Sequence, residues 1–411
     1  MIYDCVVIGG GPAGMMAAGR AGERGARVLL LEKNNQLGVK LLATGHGRCN
    51  FTNALVDRNE LLGVYGKNCK FLFSSFNKFG VMETINFFAR LGVAAKEEDR
   101  GRIFPVSDKA GDLRQALVKY LEKGGVEIKF GAEVKGVVAD GDKIIKVILT
   151  DGEEILGRNF IIAAGGKSYP ETGSTGAGYD WLLGLGHKII TPRPALTPIV
   201  VKEEVVKNLE GLSLKNIGIA VYKNKKKITS RLGEIIFTAD GLSGPAIIDL
   251  SGRVGALLGS RTFLKLDFKP EIETADLEEK LQTDFHQARN KIFKNYLTGL
   301  VPPKLAPVII ELTKIDGRKQ VSDIIKAERQ ALALALKEFT LEVKELKGFS
   351  KAMITAGGVY IREVESKTMR SRLYNNLFLA GEILDLDGPS GGYNLQICWS
   401  TGYAAGDSVS F

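Results

Sequence analysis

The chain has 411 residues, 45% of them hydrophobic, and a formal net charge of +9. That length exceeds one ordinary hydrophobic core, so two or more domains are expected, and the composition excludes wholesale disorder. No apolar run is long enough to span a bilayer, so a membrane protein is not expected. Four cysteines, Cys5, Cys49, Cys69 and Cys398, lie scattered without disulfide or C-x-x-C spacing, and only three histidines accompany them. No metal site is expected from such a set, and reduced thiols point to the cytoplasm. At the N-terminus, Asp4 and a glycine cluster interrupt the apolar stretch and no basic region precedes it, a pattern unlike a signal peptide.

The first element is the apolar run DCVVIGG, which reads as a buried parallel strand. It runs into GGGPAG, where Gly9, Gly11 and Gly14 fit G-x-G-x-x-G, and a helix is expected from Ala13 to Glu23. ARVLLLE then forms a second strand that closes on Glu32 and Lys33. In this β-α-β unit, Gly9 permits the tight turn and Gly11 admits a pyrophosphate. Gly14 lets helix and strand pack closely, and Pro12 and Ala13 open the helix toward the phosphate. Glu32 can accept hydrogen bonds from ribose hydroxyls. The glycine cluster is therefore a dinucleotide cradle and more than a turn.

KLLATGHGRCNFTN follows, from Lys40 to Asn53. Lys40 and Arg48 supply positive charge, Thr44 and Asn50 hydrogen bonds, and Gly45 and Gly47 close backbone approach. Cys49, beside Arg48, is a candidate catalytic thiolate, and His46 a candidate proton carrier. RNFIIAAGGKSYP is a strand ending in Ala164 and Gly165, and GSTGAGYDWLLGLGH a helix entry. TPRPALTP, Thr191 to Pro198, is a proline-punctuated boundary.

Alternating strands are expected from Ile199 to Phe268, with the lysine run Tyr222–Ile228 at a hairpin turn and Pro245 at a first helical position. Three helices are expected next, in ADLEEKLQTDFHQARNKIFKNYL, PPKLAPVIIELTKI and SDIIKAERQALALALKEF. FTLEVKELKG returns to strand, and NNLFLAGEILD is an apolar strand ending in Gly381-Glu382. The last helix is expected to start near Tyr393 or Asn394, just after Gly392 and with Leu395 in its first turn. Tyr393 and Tyr403 are further proton-donor candidates, and Trp399 a core residue.

Two of these segments resemble fingerprints of two-dinucleotide-fold flavoproteins: AAGG after the strand at Phe160, and Gly381-Glu382. KLLATGHGRCNFTN, GRIFPVSDKAGDLRQAL, FTADGLSGPAIIDLS and the stretch Ile354–Gly406 resemble, more specifically, the bacterial flavoprotein family that includes aminoacetone oxidase and a bile-acid enone reductase. The resemblance implies non-covalently bound FAD, with the Lys40–Asn50 loop running toward the flavin. It implies main-chain contact of Val134 with adenine, and the last helix aimed at the flavin N1/O2 edge. His46 and Ala239 depart from the family pattern, in which glycine and histidine are usual.

The implied fold is α/β: a two-segment Rossmann-like FAD domain of glutathione-reductase type, with an inserted β-barrel or sheet and a small helical subdomain. The expected boundaries are 1–190 and 351–411 for the FAD domain. The insert covers 191–350, with barrel at 191–270 and 339–350 and helices at 271–338.

The implied activity is FAD-dependent oxidation or reduction of a small organic substrate in an interdomain cleft, of amine-oxidation or enone-reduction type. With no second dinucleotide cradle, NAD(P)H is expected only as a transient donor. The alternative is a flavin-bearing binding or sensor protein associated with RNA. Nucleic acid is not the expected partner, and nothing in the sequence sets an oligomeric state.

Overall fold

A computed structural model describes residues 2–411. The chain divides into two compact units, Met1–Pro194 with Phe349–Phe411, and Ala195–Gly348.

The first unit is built on strand β1 (Ile2–Ile8). Its continuous apolar run suits a strand covered on both faces, and Cys5, Val6 and Val7 are fully buried. β1 lies parallel between β2 (Val28–Leu31) and strand Glu154–Ile162, with Val7 level with Leu30 and Ile161. Strand Glu127–Lys129 extends the sheet beyond β2. Strand Leu377–Leu379 joins it beside Glu154–Ile162, in parallel, with Phe378 level with Ile161. The two sequence segments of this unit thus meet in one sheet. Val134–Asp140 and Lys143–Leu149 add an antiparallel pair at the edge.

Helix α1 (Pro12–Glu23) connects β1 to β2 and starts one residue earlier than expected, because Pro12 suits the first helical position. It packs against the C-terminal helix Tyr393–Ser408 at van der Waals distance. A side chain at Gly402 would collide with the carbonyl of Ala13, and one at Gly406 with that of Ala17. The C-terminal helix in turn fixes the Lys40–Asn53 segment. Trp399 is fully buried and donates its indole N–H to the Phe51 carbonyl at 2.8 Å. Its ring meets Phe88 edge-on at 5.2–5.3 Å centroid spacing, as does Phe51. A tryptophan expected in the core is therefore also a tether for the loop.

The second unit is a closed barrel of six strands, in the order Ile199–Val201, Gly241–Ser243, Lys226–Thr238, Ser213–Lys223, Thr262–Asp267 and Phe339–Leu346. Ile217, Ile219 and Val221 alternate inward along one strand, the pleat period that fills a small barrel. The lysine run caps the hairpin at Asn224–Lys225. Pro245 opens helix Pro245–Gly255, as expected.

The helical part has four helices, not three: Thr274–Gln287, Phe293–Leu300, Leu305–Thr313 and Lys326–Lys337. The first expected helix breaks because the backbone at Ile292 bridges to Gln320 and Phe293 N–H bonds to the Lys319 carbonyl. That long-range pairing is invisible in the helical period of the sequence.

The contact between α1 and the C-terminal helix is testable. Gly402→Ala should destabilise the protein by about 1–3 kcal/mol, the usual cost of overpacking. Gly111→Ala, where an added methyl meets nothing within 4 Å, should leave the melting temperature unchanged or slightly higher. Equal effects of the two would refute the close approach.

Candidate functional site

A cavity opens at the carboxyl ends of the parallel strands of the first unit, the place where open α/β sheets bind ligands. Two flanks border it. Glu32 follows β2, and the turn before Val134 joins it there through Ala132 N–H to the Glu32 carbonyl at 3.0 Å; Ala164, Gly165 and Glu382 lie on the side of strands Glu154–Ile162 and Leu377–Leu379.

The glycine loop divides its tasks among its residues. Gly9 has φ +104°, and a Cβ there would stand 2.5 Å from the Ala163 carbonyl oxygen. A Cβ on Gly14 would collide with the Gly9 carbonyl. A Cβ on Gly11 would meet nothing within 4 Å, and Gly11 lines the cavity with Pro12 and Ala13. Gly9 and Gly14 are thus required by packing, whereas Gly11 keeps space open. The first-turn amides of α1 have no intrahelical acceptors, and no acidic side chain sits in that turn. Its positive end is left for an anion.

Glu32 is 7% exposed and accepts three hydrogen bonds: from Gly10 N at 2.7 Å, Asn34 N at 2.8 Å and Asn34 Nδ2 at 2.8 Å. A carboxylate offers about four lone-pair sites, so one stays available to a ribose hydroxyl. The sequence reading gave Glu32 only the ribose; its larger task here is to brace the glycine loop. Lys33 Nζ stands 3.4 Å from the Thr175 hydroxyl across the rim. Val134 is buried and lines the same flank.

On the other flank Lys40 Nζ donates to Ser168 Oγ at 2.6 Å and to Glu382 Oε2 at 2.8 Å. Glu382 also accepts from Ser168 Oγ and Thr355 N, each at 2.8 Å. The charge expected of Lys40 is therefore balanced by Glu382, and the pair lines the cavity as a neutral unit. Gly381, at φ +79°, presses on Ala13 and places Glu382 beside the cavity.

The loop from Thr44 to Asn50 is tightly coiled, with positive φ at Gly45, His46, Gly47 and Cys49. None of Thr44, Gly45, Gly47, Arg48, Cys49 and Asn50 lines the cavity. The Thr44 hydroxyl donates to the Lys40 carbonyl at 3.2 Å. Arg48 requires a correction. Its guanidinium binds Asp108 at 2.6 Å and Glu98, and lies 4.2 Å from the Phe104 ring centroid. Its charge is committed to two carboxylates rather than to a phosphate.

Cys49 requires another correction. It is fully buried, and desolvation pushes its thiol far up, so no thiolate forms near neutral pH. His46 is exposed and makes no contact with the cavity. Asn50 Oδ1 is buried with no hydrogen-bond partner among the described residues, an acceptor that a bound group would satisfy.

At the C-terminal helix, Gly392 caps the N-terminus at φ +94°, where a side chain would collide with Thr52. Asn394 spends its amide on the preceding loop, accepting from Gly388 N at 2.9 Å and donating to Gly388 O at 3.0 Å and Pro389 O at 3.1 Å. Leu395 packs against the core. The Tyr393 carbonyl accepts from the Tyr65 hydroxyl at 3.0 Å, and the two rings meet edge-on. Tyr403 stacks on Phe79 at 4.6 Å, and burial pushes its hydroxyl up, so it serves packing.

Sequence reasoning missed Gly10, Asn34, Gly173–Thr175, Trp181 and Cys398, all of which line the cavity. The stretch GSTG carries the signal for three of them, although by its local pattern it is a helix entry.

The room beside Gly11, the free first-turn amides and the spare Glu32 lone pair fit FAD. Gly11→Val should leave the fold intact, since its side chain enters empty space, and should abolish cofactor retention. Normal cofactor content in a folded variant would overturn the cradle.

The family described as HI0933-like protein Rossmann domain matches residues 3–408. The 3-dehydro-bile acid delta(4,6)-reductase of Clostridium scindens is 33% identical over 98% of both chains. The ribosomal RNA dihydrouridine synthase of Escherichia coli is 29% identical over 99% of this chain and 98% of its own. The crystal structure of 3-ketosteroid delta1-dehydrogenase from Sterolibacterium denitrificans shares the fold, at TM-score 0.52 and 12% identity over 99% of each chain. No helix among the described residues is long and apolar enough to cross a membrane. The chain belongs to the HI0933-like family and, within its Rossmann fold, to the FAD-dependent oxidoreductases.

Proposed function

We propose that this protein is an FAD-dependent reductase of a carbon–carbon double bond conjugated to a carbonyl group. One observation carries the reading: two relatives of full length, named for unlike substrates, are named for the same chemistry. A delta(4,6)-reductase of a 3-dehydro-bile acid saturates bonds conjugated to a ketone. Dihydrouridine is uridine with its 5,6-double bond saturated, and that bond is conjugated to the C4 carbonyl. Of the two reaction types expected from the sequence, enone reduction is the one these names describe.

In this reading α1 holds the pyrophosphate with its first-turn amides, Glu32 takes the adenosine ribose, and Val134 meets adenine. Lys40 and Glu382 flank the flavin half. When bound, FAD supplies two-electron hydride chemistry. The C-terminal helix has no acidic side chain in its first turn, so its N-terminus can stabilise the negative charge that gathers on reduction.

The substrate we favour is a small or medium unsaturated carbonyl compound. A second reading, uridine in ribosomal RNA, has support from the relatives in Escherichia coli and Haemophilus influenzae, 29% and 28% identical, and from the +9 charge. We take NAD(P)H as a transient donor, because the described residues form a single glycine-cradled β-α-β unit. Free cysteines suit a reducing cytoplasm.

Denaturing the purified protein should release FAD; release of FMN would sink the cofactor assignment. A 3-oxo-4,6-diene bile acid should reoxidise the anaerobically reduced enzyme faster than unmodified ribosomal RNA does, and the reverse order would favour the RNA reading. Donor and acceptor that share one flavin face must act in turn. Steady-state double-reciprocal plots should therefore give parallel lines, and intersecting lines would refute alternation.

A further inference from the structure

Between strand Glu154–Ile162 and helix Ala177–Gly184, the residues Thr172–Thr175 line the cavity and touch both of its flanks. On the side of Gly165, the Ser174 hydroxyl stands 3.1 Å from where a Gly165 Cβ would lie. On the side of Glu32, the Thr172 carbonyl accepts from Asn34 Nδ2 at 3.1 Å, and the Thr175 hydroxyl stands 3.4 Å from Lys33 Nζ. A Cβ on Gly173 would lie 2.8 Å from Asn34 Nδ2 and 3.1 Å from Lys33 Cε. Consecutive residues of one short segment thus bridge the two flanks.

Both ends of the bridge are fixed. Upstream, Tyr169 N–H bonds to the Phe349 carbonyl at 3.0 Å, and the Thr172 hydroxyl donates to the Tyr169 carbonyl at 2.7 Å. Downstream, Gly178 packs closely on Ile383 and Ala164, whose side chains lie 2.8 Å and 3.1 Å from the place of an added Cβ. The middle is held lightly. Thr175 is exposed, and neither the backbone N–H nor the hydroxyl of Ser174 has a hydrogen-bond partner among the described residues. Gly173 at φ +104° and Gly176 at φ +88° flank these two residues. Glycine crosses between backbone regions at little steric cost, so the pair can act as hinges.

We propose that Thr172–Thr175 is a strap over the adenosine half of bound FAD, and that FAD enters and leaves when the strap lifts off Lys33 and Asn34. The inference rests on the FAD reading of this cavity. Glu32, which takes the adenosine ribose in that reading, immediately precedes Lys33 and Asn34. Asn34 Nδ2 donates both to Glu32 Oε1 at 2.8 Å and to the Thr172 carbonyl. One side-chain amide therefore ties the strap to the carboxylate that braces the glycine loop. The Ser174 hydroxyl, free of protein partners, is left for the cofactor.

The strength of the two clasps suits a strap that opens. Each is a single side-chain contact at the rim, and a hydrogen bond of that kind shifts an equilibrium by roughly 5-fold. Lifting the strap breaks these contacts and exposes no apolar core, since Ser174 and Thr175 are polar and not buried. The cradle beneath it keeps its shape, because Glu32 still holds Gly10 N and Asn34 N. A closed strap makes FAD a resident group, and an open one admits it.

The test uses the full-length double variant Lys33→Cys/Thr175→Cys and dibromobimane, which fluoresces once it joins two neighbouring thiols. The two single variants, treated alike, control for the partly exposed Cys69 and Cys398. Bridging the FAD-loaded protein should halt exchange of its FAD for radiolabelled FAD over a period in which the unbridged protein exchanges completely. Bridging the FAD-free protein first should block loading, an effect of order that a merely structural loop would not give. Asn34→Ala, which removes the other clasp, should speed exchange about 5-fold or more. The strap is overturned if the double variant gains no more bimane fluorescence than the single variants, or if the bridged protein exchanges and loads FAD at the unbridged rates. An Asn34→Ala protein that exchanges FAD no faster than wild type overturns it too. If wild type neither holds FAD nor takes it up, the FAD reading itself fails and takes this inference with it.

Discussion

The buried carboxylate of Glu32 is the constraint on which the cradle depends. A buried charge is costly unless hydrogen bonds replace its water, and here three N–H groups do so, two of them backbone. The bond to Gly10 ties the end of β2 to the loop that follows β1. The loop can then keep the extended, open shape in which Gly11 faces space and the α1 amides stay unpaired. Without this tie, a glycine-rich segment would lose its order to chain entropy.

Glu382 repeats the device on the opposite flank. It follows a parallel strand, Leu377–Leu379, by three residues and accepts from a backbone amide, Thr355 N, while Lys40 and Ser168 complete its shell. Both acids spend most of their charge on protein donors. A cavity lined by two carboxylates is therefore not strongly repulsive to an anionic pyrophosphate, and α1 adds a positive end between them. Hydrogen-bonded carboxylates at both flanks and an uncompensated helix terminus in the middle make a site for a molecule with polar ends and an anionic centre.

The sequence revealed those parts whose cause is local. The β-α-β unit was legible because strand, glycines, helix and Glu32 follow one another within a few dozen residues. The C-terminal helix and Pro245 were legible because Gly392 and proline act on their own neighbours. What it hid came from partners far along the chain. Arg48 reads as a phosphate ligand until Glu98 and Asp108 are brought beside it; Cys49 reads as reactive until the fold buries it. Asn394 reads as a ligand, but its amide closes a loop six residues back. The helix expected through residues 275–297 breaks because Ile292 bridges to Gln320. Asn34 joined the site through an adjacent strand end, with no motif to announce it.

The same distinction separates cofactor from substrate. FAD is held by groups that sequence motifs mark, since backbone amides and glycines impose a fixed spacing. A substrate is held by side chains from distant elements, whose positions only the fold sets. Glycine spacing and an acidic strand end therefore announce a cofactor cradle in the sequence, whereas the surfaces that select a substrate carry no local motif.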